Sequence, residues 1–288
     1  DLTSRGDEVT YRLDNDGGTL IAEADGRTVF TVSLSDDGDG SYSFVLSDVV
    51  EHPDAGEDIM TFTFDFTATD SDGDTASSTF DVGVIDDKPE SLGTIGARFV
   101  EEEALDGGNE DAQPLGVEIL GAISNGGPIT DQVSASLLIG WGGDDSDVAD
   151  GTLANGLPDQ DAEALGMRSV VFTDDADGTG IDPSGFLQVE GANGAIAPNA
   201  LTSRGDAVTY DLSEDGTVLT AMADGREVFR VGLSDDGAGA FAFQLLDTLD
   251  HPGIGDEPSD EDVLSFTFDF IARDGDGDIT SNDFIVSI

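Results

Sequence analysis

Residues 60–74 read Met-Thr-Phe-Thr-Phe-Asp-Phe-Thr-Ala-Thr-Asp-Ser-Asp-Gly-Asp, and this stretch decides the fold. Phe62, Phe64, Phe66 and Ala68 alternate with Thr61, Thr63, Asp65 and Thr67. A period of two places the two sets on opposite faces of an extended chain, so the run is a strand with one apolar face. Asp70-Ser71-Asp72-Gly73-Asp74 then closes it with a turn sequence, because Asp and Gly tolerate the backbone conformations of tight turns. Val9–Leu13, Thr19–Ala24, Thr28–Leu34, Ser41–Leu46 and Ser78–Ile85 alternate in the same way. Asp25-Gly26 sits between two of these runs, which is a hairpin signature. Short alternating strands joined by Gly-rich turns predict an all-β chain of antiparallel, Ig-like β-sandwiches.

The chain repeats itself. Leu2–Asp7 and Leu201–Asp206 both read LTSRGD, and the alignment runs without a gap from Leu2–His52 onto Leu201–His251. An insertion near Gly255–Asp260 follows, after which Phe62–Phe66 matches Phe266–Phe270 and Asp70–Asp74 matches Asp274–Asp278. Three regions result: a first module at 1–88, an intervening acidic stretch at 89–199, and a second module at 200–288. The sequence leaves open whether 89–199 is a domain of its own or packs with the second module. Val117–Leu120, Ser136–Trp141, Ser169–Thr173 and Phe186–Val189 read there as strands, with short helices plausible only at Ala104–Ala112 and Asp159–Gly166. Repetition at this scale, with a chain opening on Asp1, reads as an internal piece of a tandem array. Such arrays supply length or multivalency rather than catalysis.

Of 288 residues, 63 are acidic and 10 basic, giving a net charge of −53. Nucleic-acid binding needs clustered cations and is excluded; an anionic membrane surface would repel the chain, and no apolar run is long enough to insert. Leu, Ile, Val and Phe together make up 75 residues, enough to build a core. Cysteine is absent, which removes disulfides and thiolate metal sites. Asp outnumbers Glu by 47 to 16, and short carboxylates beside glycine suit oxygen-ligand metal loops.

The acid is clustered. Asp70, Asp72 and Asp74 end the Phe strand, and Asp274, Asp276 and Asp278 repeat them. Asp86 and Asp87 precede Lys88-Pro89, while Glu101, Glu102 and Glu103 open the next stretch. Asp144, Asp145 and Asp147 follow Trp141-Gly142-Gly143, and Asp174, Asp175 and Asp177 follow the Phe172 strand. A carboxylate pair about 4 Å apart repels by roughly 4 kcal/mol at an effective dielectric near 20. Ca²⁺, taking six to eight oxygens in irregular loops, relieves that cost. Several calcium ions are therefore expected, although neither DxDGD turn has the Gly and Glu spacing of an EF-hand. One ion is expected to join the Asp70–Asp74 turn, Asp86/Asp87 and a glutamate of 101–103, stiffening the exit that Pro89 holds extended.

Catalysis finds little support. His52 and His251 are the two histidines, each before a Pro, and they read as loop residues packing or hydrogen-bonding near the Phe strand. Trp141, the single Trp, reads as core in preference to a sugar platform. No phosphate-binding glycine loop is present.

The motifs LTSRGDEVTY, DGRTVFTVSL, VEHP, FDFTATDSDGD and VIDDKP, with LDHP and FIARDGDGD in the second copy, resemble the repeats of very large RTX adhesins exported by type I secretion. Phe99–Asp111, FVEEEALDGGNED, resembles the start of a unit of that family. The resemblance implies a Ca²⁺-stabilised extender on the bacterial cell surface, serving adhesion and biofilm formation. Its partners would be neighbouring repeats of the same, monomeric chain. Two alternatives stand beside this reading. One is a Ca²⁺-dependent module binding a carbohydrate or surface. The other is an acid-rich polysaccharide hydrolase, ranked last, so that no enzyme is expected.

Overall fold

The computed structural model describes residues 2–37, 40–52, 58–106, 131–143, 151–152, 158–159, 168–173, 183–191, 193–251 and 263–288. The first module contains β1 (Thr3–Ser4), β2 (Asp7–Glu8), β3 (Thr10–Leu13), β4 (Thr19–Ala24), β5 (Arg27–Ser35), β6 (Ser41–Leu46), β7 (Ile59–Thr69) and β8 (Thr75–Ile85). Residues 89–199 supply β9 (Glu90–Ser91), β10 (Arg98–Phe99), β11 (Gln132–Ser136), β12 (Ile139–Gly140), β13 (Gly151–Thr152), β14 (Pro158–Asp159), β15 (Ser169–Val171), β16 (Leu187–Gly191) and β17 (Gly194–Ile196). The second module contains β18 (Thr202–Ser203), β19 (Asp206–Leu212), β20 (Val218–Ala223), β21 (Arg226–Ser234), β22 (Ala240–Leu245), β23 (Ser265–Arg273) and β24 (Ile279–Ser287). The protein is all-β, as the alternation predicts. A 3₁₀ turn occupies Glu102–Ala104 where a helix was expected to begin. The rest of that expected helix, most of the one at 159–166, and the strand expected at Val117–Leu120 lie outside the described residues.

Each module is two sheets face to face. In the first, β3-β4-β5-β6 packs against the β7–β8 hairpin. In the second, both sheets are wider because the middle stretch joins them. One sheet runs β11-β22-β21-β20-β19-β18; the other runs β10-β24-β23-β16-β17, with β15 also paired to β23. The described strands at 98–99, 132–136, 169–171 and 187–196 thus complete the second module. All these pairings are antiparallel except β10 with β24.

The Asp-Gly turns have the geometry their residues require. Asp25 and Gly26 have φ of +44° and +77°, and Asp224 and Gly225 have +45° and +77°. Positive φ at both central residues matches a type I′ turn, whose twist fits two antiparallel strands. Arg27 and Arg226 then clamp the start of each module. Arg27 donates to the Ser4 carbonyl at 3.1 Å and to Asp7 at 2.8 Å, and also pairs with Asp48. Arg226 pairs in the same way with Asp206 and Asp247. These contacts account for the recurrence of LTSRGD with a distant Asp.

The core is a phenylalanine stack between the sheets. Phe268 on β23 meets Phe284 at 5.1 Å and Phe243 at 6.2 Å between ring centroids, while Phe229 meets Phe266 edge-on at 5.5 Å. Phe229, Phe266, Phe268 and Phe284 are fully buried. Phe268→Ala is therefore expected to cost about 3–5 kcal/mol. The urea midpoint of the second module should fall with little change in slope; a loss under about 1 kcal/mol would contradict this packing.

Candidate metal centre

The hairpins decide which carboxylates can meet. β7 and β8 pair over their whole length, from Thr69 opposite Thr75 to Ile59 opposite Ile85. Ten residues of strand span about 33 Å, so Asp70–Asp74 and Asp86 sit at opposite ends of one hairpin. The expectation that they share an ion is corrected by this geometry. Asp86 instead faces the second copy's turn. One oxygen each from Asp86, Asp276 and Asp278 lie within 4.8 Å of one another.

Asp86 is held there from both sides. Its backbone N–H donates to the Asp58 carbonyl at 3.1 Å, and the His52 N–H approaches Asp276 Oδ2 at 3.4 Å. Downstream, Pro89 is buried and β9 pairs with β12, Ser91 opposite Ile139. Asn282 of β24 donates to Ser91 Oγ at 2.8 Å and to the Gly93 carbonyl at 3.1 Å. The linker is thus stitched to the second module within a few residues of the exit.

The second copy's turn is built by its first aspartate. Asp274 Oδ1 accepts the N–H groups of Gly277 at 3.1 Å and Asp278 at 2.8 Å. Asp274, Asp278 and Asp86 are all buried. Both Asp86 oxygens, Asp274 Oδ2 and Asp276 Oδ1 are buried without a hydrogen-bond partner. Burial, reinforced by the charge of Asp276, pushes the Asp86 carboxyl up to about 6 although His52 opposes it. Burial and Asp276 push Asp274 up to about 8. The unpartnered oxygens of Asp86, Asp274 and Asp276 face like charge away from solvent and carry an unmet need for positive charge. An all-oxygen donor set fits a hard cation such as Ca²⁺ and offers softer metals no thiolate.

The first copy's turn has the same backbone and a different environment. Asp70 Oδ1 accepts the N–H groups of Asp72 at 3.2 Å, Gly73 at 3.0 Å and Asp74 at 2.9 Å. The Asp72 side chain and these backbone donors hold the Asp70 carboxyl below its ordinary range. Asp70, Asp72 and Asp74 converge within 4.8 Å but are fully exposed. The remaining expected ligands diverge. Asp87 Oδ2 accepts the Gly143 N–H at 2.6 Å, and a Cβ at Gly142 would lie 2.5 Å from Asp87 Oδ1. Glu102 accepts the Leu249 N–H and faces His251 at 3.5 Å. Glu101 and Glu103 join none of the carboxylate clusters among the described residues. Asp144, Asp145, Asp147, Asp174, Asp175 and Asp177 lie outside the described residues.

Sequence reading gave His52 a packing or hydrogen-bonding role, which the structure matches, but did not place His52 and Asp58 beside Asp86. The His52 ring is buried, its Nδ1 sits against Asp58, and the two form a second cluster with Asp86. The available signal was the recurrence of His before Pro at His52 and His251. Trp141 is buried, its indole N–H donates to the Gly237 carbonyl at 2.8 Å, and the Arg168 guanidinium lies 5.0 Å from its ring. No helix among the described residues is long and apolar enough to cross a membrane.

Residues 2–83 match the model of a family described as a domain of unknown function, DUF5801. No curated protein and no solved structure matches the chain.

The raised carboxyls set a sign for pH dependence. Asp86 and Asp274 keep protons to higher pH when folded than the 3.8 of the free group. Between about pH 4 and 8 the native state binds more protons than the unfolded state, so stability falls as pH rises. Cation-free protein should melt at a lower temperature at about pH 8 than at about pH 5, and saturating Ca²⁺ should flatten the difference. Asp86→Asn removes one buried charge. It should raise the melting temperature in chelator yet shrink the gain on adding Ca²⁺, and scanning calorimetry reads both. A uniform loss of stability under both conditions would remove the cation reading of Asp86.

Proposed function

We propose that this chain is a Ca²⁺-stabilised structural extender of a secreted bacterial cell-surface adhesin, holding ligand-binding domains away from the cell for adhesion and biofilm formation. The supporting observation is the Asp86–Asp276–Asp278 cluster, in which Asp86 and Asp278 are buried and Asp276 is half-buried. It lies where the first module exits and meets the second module's turn, so a cation there ties two repeats of one chain together. The partners on this reading are neighbouring repeats. A calcium-poor cytoplasm would leave the carboxylates repelling and the junction loose, whereas external calcium would fasten it after secretion.

The magnitude is adequate. Extracellular modules bind Ca²⁺ with dissociation constants of about 10⁻⁴–10⁻³ M, and ligand at 100-fold excess stabilises the folded state by about 2.7 kcal/mol per site. Against a domain stability of roughly 5–15 kcal/mol, one junction site shifts the balance and two or three dominate it. The alternative reading, a carbohydrate- or surface-binding module, draws no support from Trp141, whose ring is covered.

Chelator-dependent melting and solution scattering test the proposal together. Calcium should raise the melting temperature by several degrees and narrow the distribution of end-to-end distances. A melting temperature and scattering profile both indifferent to EDTA would sink the calcium-dependent extender.

A further inference from the structure

The two modules carry the same core in different states of cover. Their internal packing agrees closely: Tyr42 stacks on Phe80 at 3.9 Å as Phe241 stacks on Phe284 at 3.9 Å, and Phe30–Phe44 at 5.1 Å matches Phe229–Phe243 at 5.3 Å. Their outer positions do not agree. Tyr11 is 54% exposed against 4% for its equivalent Tyr210, Leu13 64% against 2% for Leu212, Tyr42 50% against 1% for Phe241, and Leu46 45% against 0% for Leu245. The side chains are alike, so the difference comes from what lies on top.

In the second module the covering elements are identifiable. β11 runs along β22, with Val133 opposite Phe243 and Ala135 opposite Phe241. β16 runs along β23, with Leu187 opposite Phe268 and Val189 opposite Phe266, and β15 continues on that strand. β10 closes the outer edge of β24. Tyr210 Oη donates to the Pro198 carbonyl at 2.9 Å, in the 3₁₀ turn that immediately precedes the module. In the first module the equivalent edges, on β6, β7 and β8, have no partner strand among the described residues. Unpaired edges with apolar neighbours are templates for strand addition.

We propose that the first module is an acceptor for a segment built like residues 95–196 of this chain, placed one repeat upstream. The true folding unit of the array is then such a segment together with the module after it. The register follows from the repeat. A strand equivalent to β11 pairs along Ser41–Val45, setting its Val opposite Phe44 and its Ala opposite Tyr42. A strand equivalent to β16 pairs along β7, setting its Leu opposite Phe64 and its Val opposite Phe62. The tandem offset puts the occupant before Leu2, as 95–196 stands before Leu201.

The test joins a second copy of residues 89–199 directly ahead of Asp1 in the full chain and follows amide exchange at saturating calcium. In the original chain, amides of β6 and β7 should exchange at least 100-fold faster than those of β22 and β23. In the extended chain they should slow by about that factor, with β19–β24 unchanged. Tyr11 and Tyr42 should lose their reactivity towards nitration. Introducing Val133→Asp and Leu187→Asp in the added copy alone should abolish the gain. Unchanged exchange at β6 and β7 in the extended chain would overturn the proposal. So would protection that rises in the original chain with protein concentration, because the occupant would then be a second copy. Calcium is held constant and the readout is at sheet edges, so this result is separable from that of the extender reading.

Discussion

Asp86 placed against Asp276 and Asp278 is the contact on which the arrangement of repeats depends. These groups meet with little water, and both Asp86 oxygens lack a donor. A cluster of this kind is unfavourable by itself, since burial and like charge act in the same direction. Everything around it nevertheless holds it in place: the Asp58 carbonyl fixes the Asp86 backbone, and the Asp274 carboxylate shapes the turn bearing Asp276 and Asp278. Rigid support for mutually repelling charges makes physical sense when a cation is the missing member. A hard cation bound here would offset that repulsion and join the two modules.

The strands and turns were legible in the sequence because their causes are local. A two-residue period and Asp-Gly pairs fix β4 and β5 and the I′ turn between them, and the repeated Phe-x-Phe-x-Phe fixes β7 and β23. The acidic DxDGD turns were legible for the same reason, with the first Asp serving the backbone in both copies. Which clusters meet was harder to read, because that depends on pairings far apart in sequence. Asp86 and Asp276 are brought together only after β8, β9, β12 and β24 have found their partners. One part of this could have been anticipated. A hairpin returns the chain to where it began, so the turn at its tip cannot touch its own exit. The repeat then offers the next copy's turn as the available acidic partner.

The role of residues 89–199 was hidden for a related reason. Ser136–Trp141, Ser169–Thr173 and Phe186–Val189 read as strands and carry β12, β15 and β16, but nothing local shows which sheet they join, and β10 and most of β11 have no period to announce them. β10 and β15 have two and three residues, and they become strands by pairing with edges the second module already presents. Tertiary context, not propensity, makes them extended. The single Trp follows the same logic: Trp141 is buried because β12 and Gly237 enclose it, and a neighbouring Gly-Gly lets Asp87 approach.

Direction along the chain follows from the hairpin geometry. In the second module the turn 274–278 faces the entering linker, and the far end of β23–β24, at Ser265 and Ser287, lies about 27 Å away across nine-residue strands. A chain that enters beside the turn therefore leaves at the opposite end. In the first module Asp70–Asp74 lies at one end of β7–β8 and Asp86 at the other, and the Thr3 carbonyl accepts the Glu51 N–H next to His52, which places the start of the module at the Asp86 end. The exposed carboxylates of Asp70, Asp72 and Asp74 occupy the position that receives Asp86 in the second module. Open sheet edges and an open acidic turn thus coincide in the first module, and in the second an upstream segment supplies the strands while the upstream exit supplies the carboxylate.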